Sequence, residues 1–281
     1  MDGATPRLHL LTLLLLVAGP AGGTGARATN PIDGSGEAAP AAGLRPLTTD
    51  RPDVTESPIT VDAGHVQVEL DFVNFARDRE DGGRREEWGV LPFNLRFGLG
   101  RDIEAGLFVA PYVRRSATPR AGVASTMAGF GDMTLRVKAN SWGNDGGASA
   151  GGLIVDLGVP TAARGLGAGH LEGTVTLPVQ FELPGGWDLG AMTAVRLRPG
   201  AAPGSRLVWV NSATLGHDLT RSLSGYAELT SAAGDGPHVA TADVGLAWKL
   251  DANTQLDLGT NLGLSRAADD LLVFTGFSRR Y

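Results

Sequence analysis

The strongest nucleophile signature in the sequence is Gly147-Ala148-Ser149-Ala150-Gly151, a G-x-S-x-G pentad. In hydrolases that pattern seats a serine on a strained turn between a strand and a helix. Here it follows the turn-forming Gly143-Asn144-Asp145-Gly146 and leads into a strand-like run, in a chain with 41 glycines. It reads as a turn rather than an elbow. His65, His170, His217 and His238 lie far apart, without the H-E-x-x-H or H-x-x-E-H spacing of a metal site. None stands two residues from a serine in the same outward register, as a lipid-facing hydrolase would need. Zero cysteines remove thiolate zinc, a disulfide framework and a cysteine nucleophile. Neither a P-loop nor a dinucleotide fingerprint stands on a βαβ unit. The expectation is a protein with no catalytic residue, no metal and no cofactor.

What remains is charge, and it falls on alternate sites. From 66 to 72 the even positions are apolar and the odd ones polar, with Glu69 and Asp71 among the latter. The same alternation carries Arg96 through 91–99, Arg136 and Lys138 through 133–139, Glu172 and Glu182 through 171–183, and Asp257 through 256–264. Period two over seven or more residues is a strand with one apolar and one polar face. Weaker alternating segments at 103–113, 153–159, 189–197, 207–215, 223–229, 240–250 and 273–281 bring the expected number to about 12. No 3.6-residue stripe interrupts them. The chain reads as all-β.

A soluble sandwich also alternates, but several of these strands are longer than the ~5–6 residues usual in soluble sheets and match the ~9–11 of a tilted membrane-crossing strand. The connections alternate too. Tight turns at 100–102, 143–146, 184–186, 219–221 and 251–253 take turns with longer loops at 77–87, 114–128, 161–170, 199–206, 231–237 and 265–270. Short turns on one side and long loops on the other describe an up-and-down antiparallel transmembrane β-barrel. Closure leaves no unpaired edge for lipid to satisfy. Residues 8–18 form one apolar run behind Arg7, and Ala26-Arg27-Ala28 supplies a small-residue cleavage pattern, so residues 1–28 read as a secretory signal peptide. Residues 29–60 read as a flexible leader with a motif at its end, and 61–281 as the barrel. The net charge of −6, 24 Lys and Arg against 30 Asp and Glu, disfavours nucleic acid as a partner.

The motif is Thr49-Asp50-Arg51-Pro52-Asp53-Val54-Thr55-Glu56-Ser57-Pro58. It resembles the opening TDRPDxTESP of a bacterial outer-membrane barrel family labelled MetA-pathway of phenol degradation. The likeness continues through Gly129-Phe130-Gly131-Asp132, Val159-Pro160-Thr161 and the run from Asn261 through Asp270, covering roughly 47–281. The resemblance implies an outer-membrane barrel, in a Gram-negative cell, that passes small, often apolar or aromatic, compounds.

If the apolar face meets lipid, the polar face lines an interior. Glu69, Asp71, Arg96, Asp132, Arg136, Lys138, Glu172, Glu182, Arg196 and Asp257 are then luminal, with acids in excess. Unpaired charge in a narrow interior is expensive, so cross-strand ion pairs are expected, with Arg136 and Arg196 as centres. Two consequences stay open: a wet path with mild cation preference, or a barrel stitched shut. Asp50, Arg51, Asp53 and Glu56 precede the first strand, and either fold into the lumen as a plug or gate or remain a solvated leader. Arg266, Asp269 and Asp270 sit in the last long loop and could close the outer mouth by ion pairing, hold a divalent cation, or simply face water; two adjacent carboxylates are an incomplete oxygen shell. Expected partners are outer-membrane lipids, an unidentified small permeant, and the barrel-assembly machinery, which reads a carboxyl-terminal strand such as that ending in Tyr281. The functional expectation is passive diffusion through a charged, partly occluded lumen, against the alternative of a closed structural or adhesin-like barrel.

Overall fold

The computed structural model describes residues 43–80, 82–199 and 205–281; the expected signal peptide and most of the leader lie outside them. Among the described residues there is no helix, only fifteen strand segments: β1 (Val66–Asp78), β2 (Arg84–Val90), β3 (Phe93–Gly98), β4 (Ile103–Val109), β5 (Tyr112–Thr118), β6 (Ser125–Gly129), β7 (Met133–Trp142), β8 (Ser149–Val159), β9 (Glu172–Leu183), β10 (Trp187–Pro199), β11 (Ser205–Asp218), β12 (Leu223–Gly234), β13 (Gly236–Asp251), β14 (Thr254–Gly263) and β15 (Leu271–Arg280). All pair antiparallel, in the order β15 down to β7, then β4, β3, β1, β2, β5 and β6, and β15 pairs back onto β1.

Three staves are broken once each. The break between β2 and β3 falls at Leu91-Pro92, between β4 and β5 at Ala110-Pro111, and between β6 and β7 at 130–132. Proline brings no N–H to a ladder, and Leu91 turns to φ +54°. At the same level β1 shifts register between Asp71 and Val73, while Asp71 N donates to Pro92 O at 2.9 Å. Each broken pair is one stave, so the wall is a closed barrel of twelve. The bulge inverts which residues of β1 face inward: Gln67 and Glu69 are buried below it, Ala76 and Asp78 above it. Beyond the breaks, no strand of the described residues pairs with the outer edge of β6. The 161–170 loop lies there instead, with Ala163 N bonded to Phe130 O at 2.8 Å. The Asp132 carboxylate holds that loop, accepting from Ala162 N at 2.9 Å and Ala168 N at 2.6 Å.

The molecule is apolar outside and polar inside. Leu135, Val137, Leu153, Val155, Leu157, Val175 and Leu177 are all exposed, a continuous greasy surface that water would not tolerate on a monomer and that lipid requires. Trp142, Trp187 and Trp248 are exposed beside short turns, and Trp88 and Trp209 toward the opposite end. That places two aromatic girdles at the two edges of the greasy band. The length alternation of the connections is weaker than expected. β12 and β13 run on through 231–237 to a hairpin at Gly234 and Gly236. Above the lipid both faces of a strand are wet, so pairing continues there without an apolar–polar alternation to announce it.

Candidate functional site

Residues 45–62 form a loop that enters the barrel at the short-turn end and leaves at the same end. Its neck is closed by Arg45 Nε to Asp62 Oδ1 at 2.8 Å and Arg280 Nη1 to Asp62 Oδ2 at 2.9 Å. Prolines at 46, 52 and 58 keep it irregular, so its backbone groups must find partners in the wall. They do. Asp50 N donates to Glu69 at 3.0 Å, Val61 N to Glu104 at 2.7 Å and Thr60 N to Asn144 at 3.0 Å. Val54 N and Thr55 N both donate to the Glu228 carboxylate at 2.7 Å. Pro58 O accepts from Asn140 at 2.9 Å and Ile59 O from Arg96 at 3.0 Å.

The side chains of the loop are built into ion pairs of opposite polarity to the wall they meet. Asp50 lies against three cations: Lys138 Nζ in direct contact, and Arg96 and Arg136 each at 3.4 Å. Arg136 also grips Glu56 (2.6 and 2.7 Å) and Asp156 (2.7 and 3.0 Å) as two bidentate forks, the strong geometry for a guanidinium. Arg96 bridges Glu69 at 2.7 Å and Glu104 at 2.9 Å. Arg51 spans Asp257, at 2.6 Å, and Asp71. Arg96 and Lys138 are fully buried. Burial alone would raise the Asp50 pKa, but Arg96, Lys138 and Arg136 outweigh it and hold the carboxyl below its ordinary value.

Above the loop lies a cavity of about 260 Å³. Arg51, Pro52, Val54 and Glu56 form its floor; Phe93, Phe108, Val109, Val113, Leu166, Met192, Val210 and Phe274 supply apolar wall, set among charged and polar side chains that include Asp71, Asn94, Arg115, Asp132, Arg136, Glu172 and Arg196. The apolar part continues as a buried cluster of Val54, Met192, Ala194, Val208, Val210, Ala232 and Val239. Alternation alone assigned the interior to polar residues, and this inward patch departs from that expectation. It sits in the long-loop half of β10–β13, where the outward face stays apolar at Leu207 and Trp209.

Of the residues singled out from sequence, Asp50, Arg51, Asp53, Glu56, Glu69, Asp71, Arg96, Arg136, Lys138 and Asp257 come together around the loop. Asp132, Glu172 and Arg196 line the cavity above it. Glu182 does not join them: it is exposed at the short-turn rim, because its strand outlasts the occluded zone. Arg266 and Asp270 are exposed on the last loop, and only Asp269 is partly buried. Among the described residues no three acidic or histidine side chains converge as a metal ion would require. The sequence also gave no hint that β12 and β13 bring Ser231 Oγ to 2.9 Å from His238 Nε2, on the outward face. Spacing within one strand cannot reveal a pair formed across a hairpin. Among the described residues no other hydrogen bond orients His238, so the third member of a nucleophile–base set is missing. Ser149 of the G-x-S-x-G pentad, the first residue of β8, accepts a 3.3 Å bond from the indole of Trp142, the last residue of β7.

A family model described as "Putative MetA-pathway of phenol degradation" matches residues 49–281. The chain belongs to this family. Its matched region begins with the luminal loop, so the MetA-pathway family model spans loop and wall together. Among solved structures, the chain is similar to an outer membrane channel from Pseudomonas putida F1 at 14% identity and TM-score 0.59, over 83% of this chain and 99% of that one. It is also similar to the beta domain of the Bordetella autotransporter BrkA, at 13% identity and TM-score 0.52, over 78% of this chain and 100% of that one. At these identities the likeness concerns the fold: a closed barrel of the outer-membrane type. No curated protein matches the chain in sequence.

Proposed function

We propose that this barrel resides in a bacterial outer membrane and passes small apolar or aromatic molecules by diffusion, and that the 45–62 loop holds it occluded in the state described. The observation that carries the reading is the cavity above the loop: about 260 Å³ with a largely apolar wall, where ~150 Å³ already accommodates a benzene-sized guest. A polar solute would gain nothing from Phe93, Phe108 and Phe274 there. Of the residues expected to line or gate the lumen, those gathered around the loop act here as its clamps. Residues 1–28 would direct export, both termini would face the periplasm, and β15 with Tyr281 would present the strand read by the assembly machinery. The density of ion pairs around the loop favours a second reading, a permanently closed structural barrel.

A cross-link separates the two. Thr55 Oγ1 and Ser212 Oγ lie 2.7 Å apart, and the chain has no cysteine of its own. A Thr55→Cys/Ser212→Cys variant, oxidised, is expected to block uptake of a small aromatic probe into liposomes, and reduction to restore it. Equal uptake in both states, or none in either, would overturn the diffusion reading.

A further inference from the structure

Three carboxyl groups meet in the lumen without a cation. Glu228 on β12 receives the loop, accepting from Val54 N and Thr55 N and from the Thr55 hydroxyl, which is how a carboxylate anion is satisfied. Directly opposite it on β13 stands Asp243, 1% exposed, with neither oxygen hydrogen-bonded. From the loop side comes Asp53, 2% exposed, and again neither oxygen has a hydrogen-bond partner. The Thr214 hydroxyl, opposite Glu228 on β11, is also buried and unbonded. Among the described residues none of the three acids has an ion pair within 4.0 Å. The other titratable groups facing the pocket are Tyr226 of β12, Glu56 of the loop and Asp257 of β14; Arg51, the nearest cation along the loop, is spent on Asp71 and Asp257.

Three buried carboxyls in one pocket cannot all be ionised. Protonating one or more of them removes that charge. We propose that the seat formed by Asp53, Glu228 and Asp243 is a proton-binding site that latches residues 53–55 to the wall, and that losing the proton releases this half of the loop. The proposal rests on the reading of the loop as an occluding element. Asp53 supports it: burial first, then the neighbouring Glu228 carboxylate, pushes its pKa well above the ordinary value. The sign follows. A group whose seated pKa is raised stabilises the seat fully below its ordinary value of ~4, and that contribution falls about tenfold in equilibrium constant per pH unit as pH rises toward the seated value. Acid closes the barrel; alkali loosens it.

The test is open probability in planar bilayers between about pH 4.5 and pH 8.5, a range set by that linkage, with chelator present and, separately, with calcium added. Wild type is expected to open more as pH rises, by up to tenfold per unit for one proton. Asp53→Asn, isosteric and neutral, is expected to flatten the curve at its low end. In wild type alone, an infrared band of protonated carboxyl should vanish over the same range, a readout that holds even if the variant folds poorly. An Asp53→Asn curve superimposed on wild type, a pH-flat wild type, or a response to calcium instead of pH would overturn the proton site. A barrel lacking residues 47–58 that conducts no better than wild type would instead overturn the occluding loop.

Discussion

The luminal loop is held by two walls that work by opposite means. On the β3–β8 side, Arg96, Arg136 and Lys138 meet Asp50 and Glu56, and every charge has a partner of opposite sign within 4.0 Å. On the β11–β13 side the wall offers Thr214, Glu228 and Asp243, and the loop answers with backbone N–H groups and an acid. The first wall recognises side-chain charge and the second recognises the shape of the chain. Buried pairs of the first kind resist salt, because screening does not reach them. Adhesion of the second kind depends on how many protons the pocket holds. A single loop thus has one edge held by charge pairs and one edge held by backbone hydrogen bonds beside a carboxyl cluster.

The largest break in this contrast comes from Arg136→Met. It leaves Asp50, Glu56 and Asp156 without their shared guanidinium, a loss on the order of 3–5 kcal/mol for a buried pair cut on one side. Bilayer conductance should rise by two orders of magnitude or more, and Glu56→Gln added to Arg136→Met should recover part of the stability. Next is Glu228→Gln, which keeps one acceptor oxygen but loses the anion that takes three hydrogen bonds. About 1.5–3 kcal/mol of seating is expected to go, seen as faster proteolysis of the loop with an unchanged far-ultraviolet spectrum. The smallest effect lies at the outer rim. Burial, with Asp78 nearby, raises the Asp269 carboxyl to about 6 even though Arg85 opposes it. Its raised value stabilises the rim below ~4 and is lost as pH climbs through about 6. The melting temperature of wild type should therefore fall relative to Asp269→Asn across that interval; parallel curves would remove Asp269 from the account.

Alternation in β7, β9 and β14 announced the wall, because lipid outside and charge inside impose period two on every membrane-level residue. It could not announce the breaks. Pro92 and Pro111 each sit within runs that still alternate, and the bulge after Asp71 exchanges the two faces of β1 without changing its composition. The residue types of the site were equally visible: Asp50, Arg51 and Glu56 upstream, Arg136 and Asp257 in the wall. Their pairing was not. Arg51 meets Asp257 across 206 positions and Glu56 meets Arg136 across 80, separations at which no local pattern carries information. Glu228 and Asp243 lie in the weakly alternating segments 223–229 and 240–250, where nothing local sets them apart from other acids. Only the fold shows that one receives a backbone and the other receives nothing.

Gly98 and Gly276 give the inner wall a relief that charge alone does not describe. A methyl group on Gly98 would fall 2.0 Å from Asp62 O, and one on Gly276 would fall 2.2 Å from the Arg51 guanidinium. Both absences are hollows cut to the outline of the inserted chain, as a mould is cut to its casting. Some of the 41 glycines are therefore spent on clearance. A barrel of this design cannot exchange its insert for a bulkier one by editing the insert alone; the surrounding surface would have to be recarved in step.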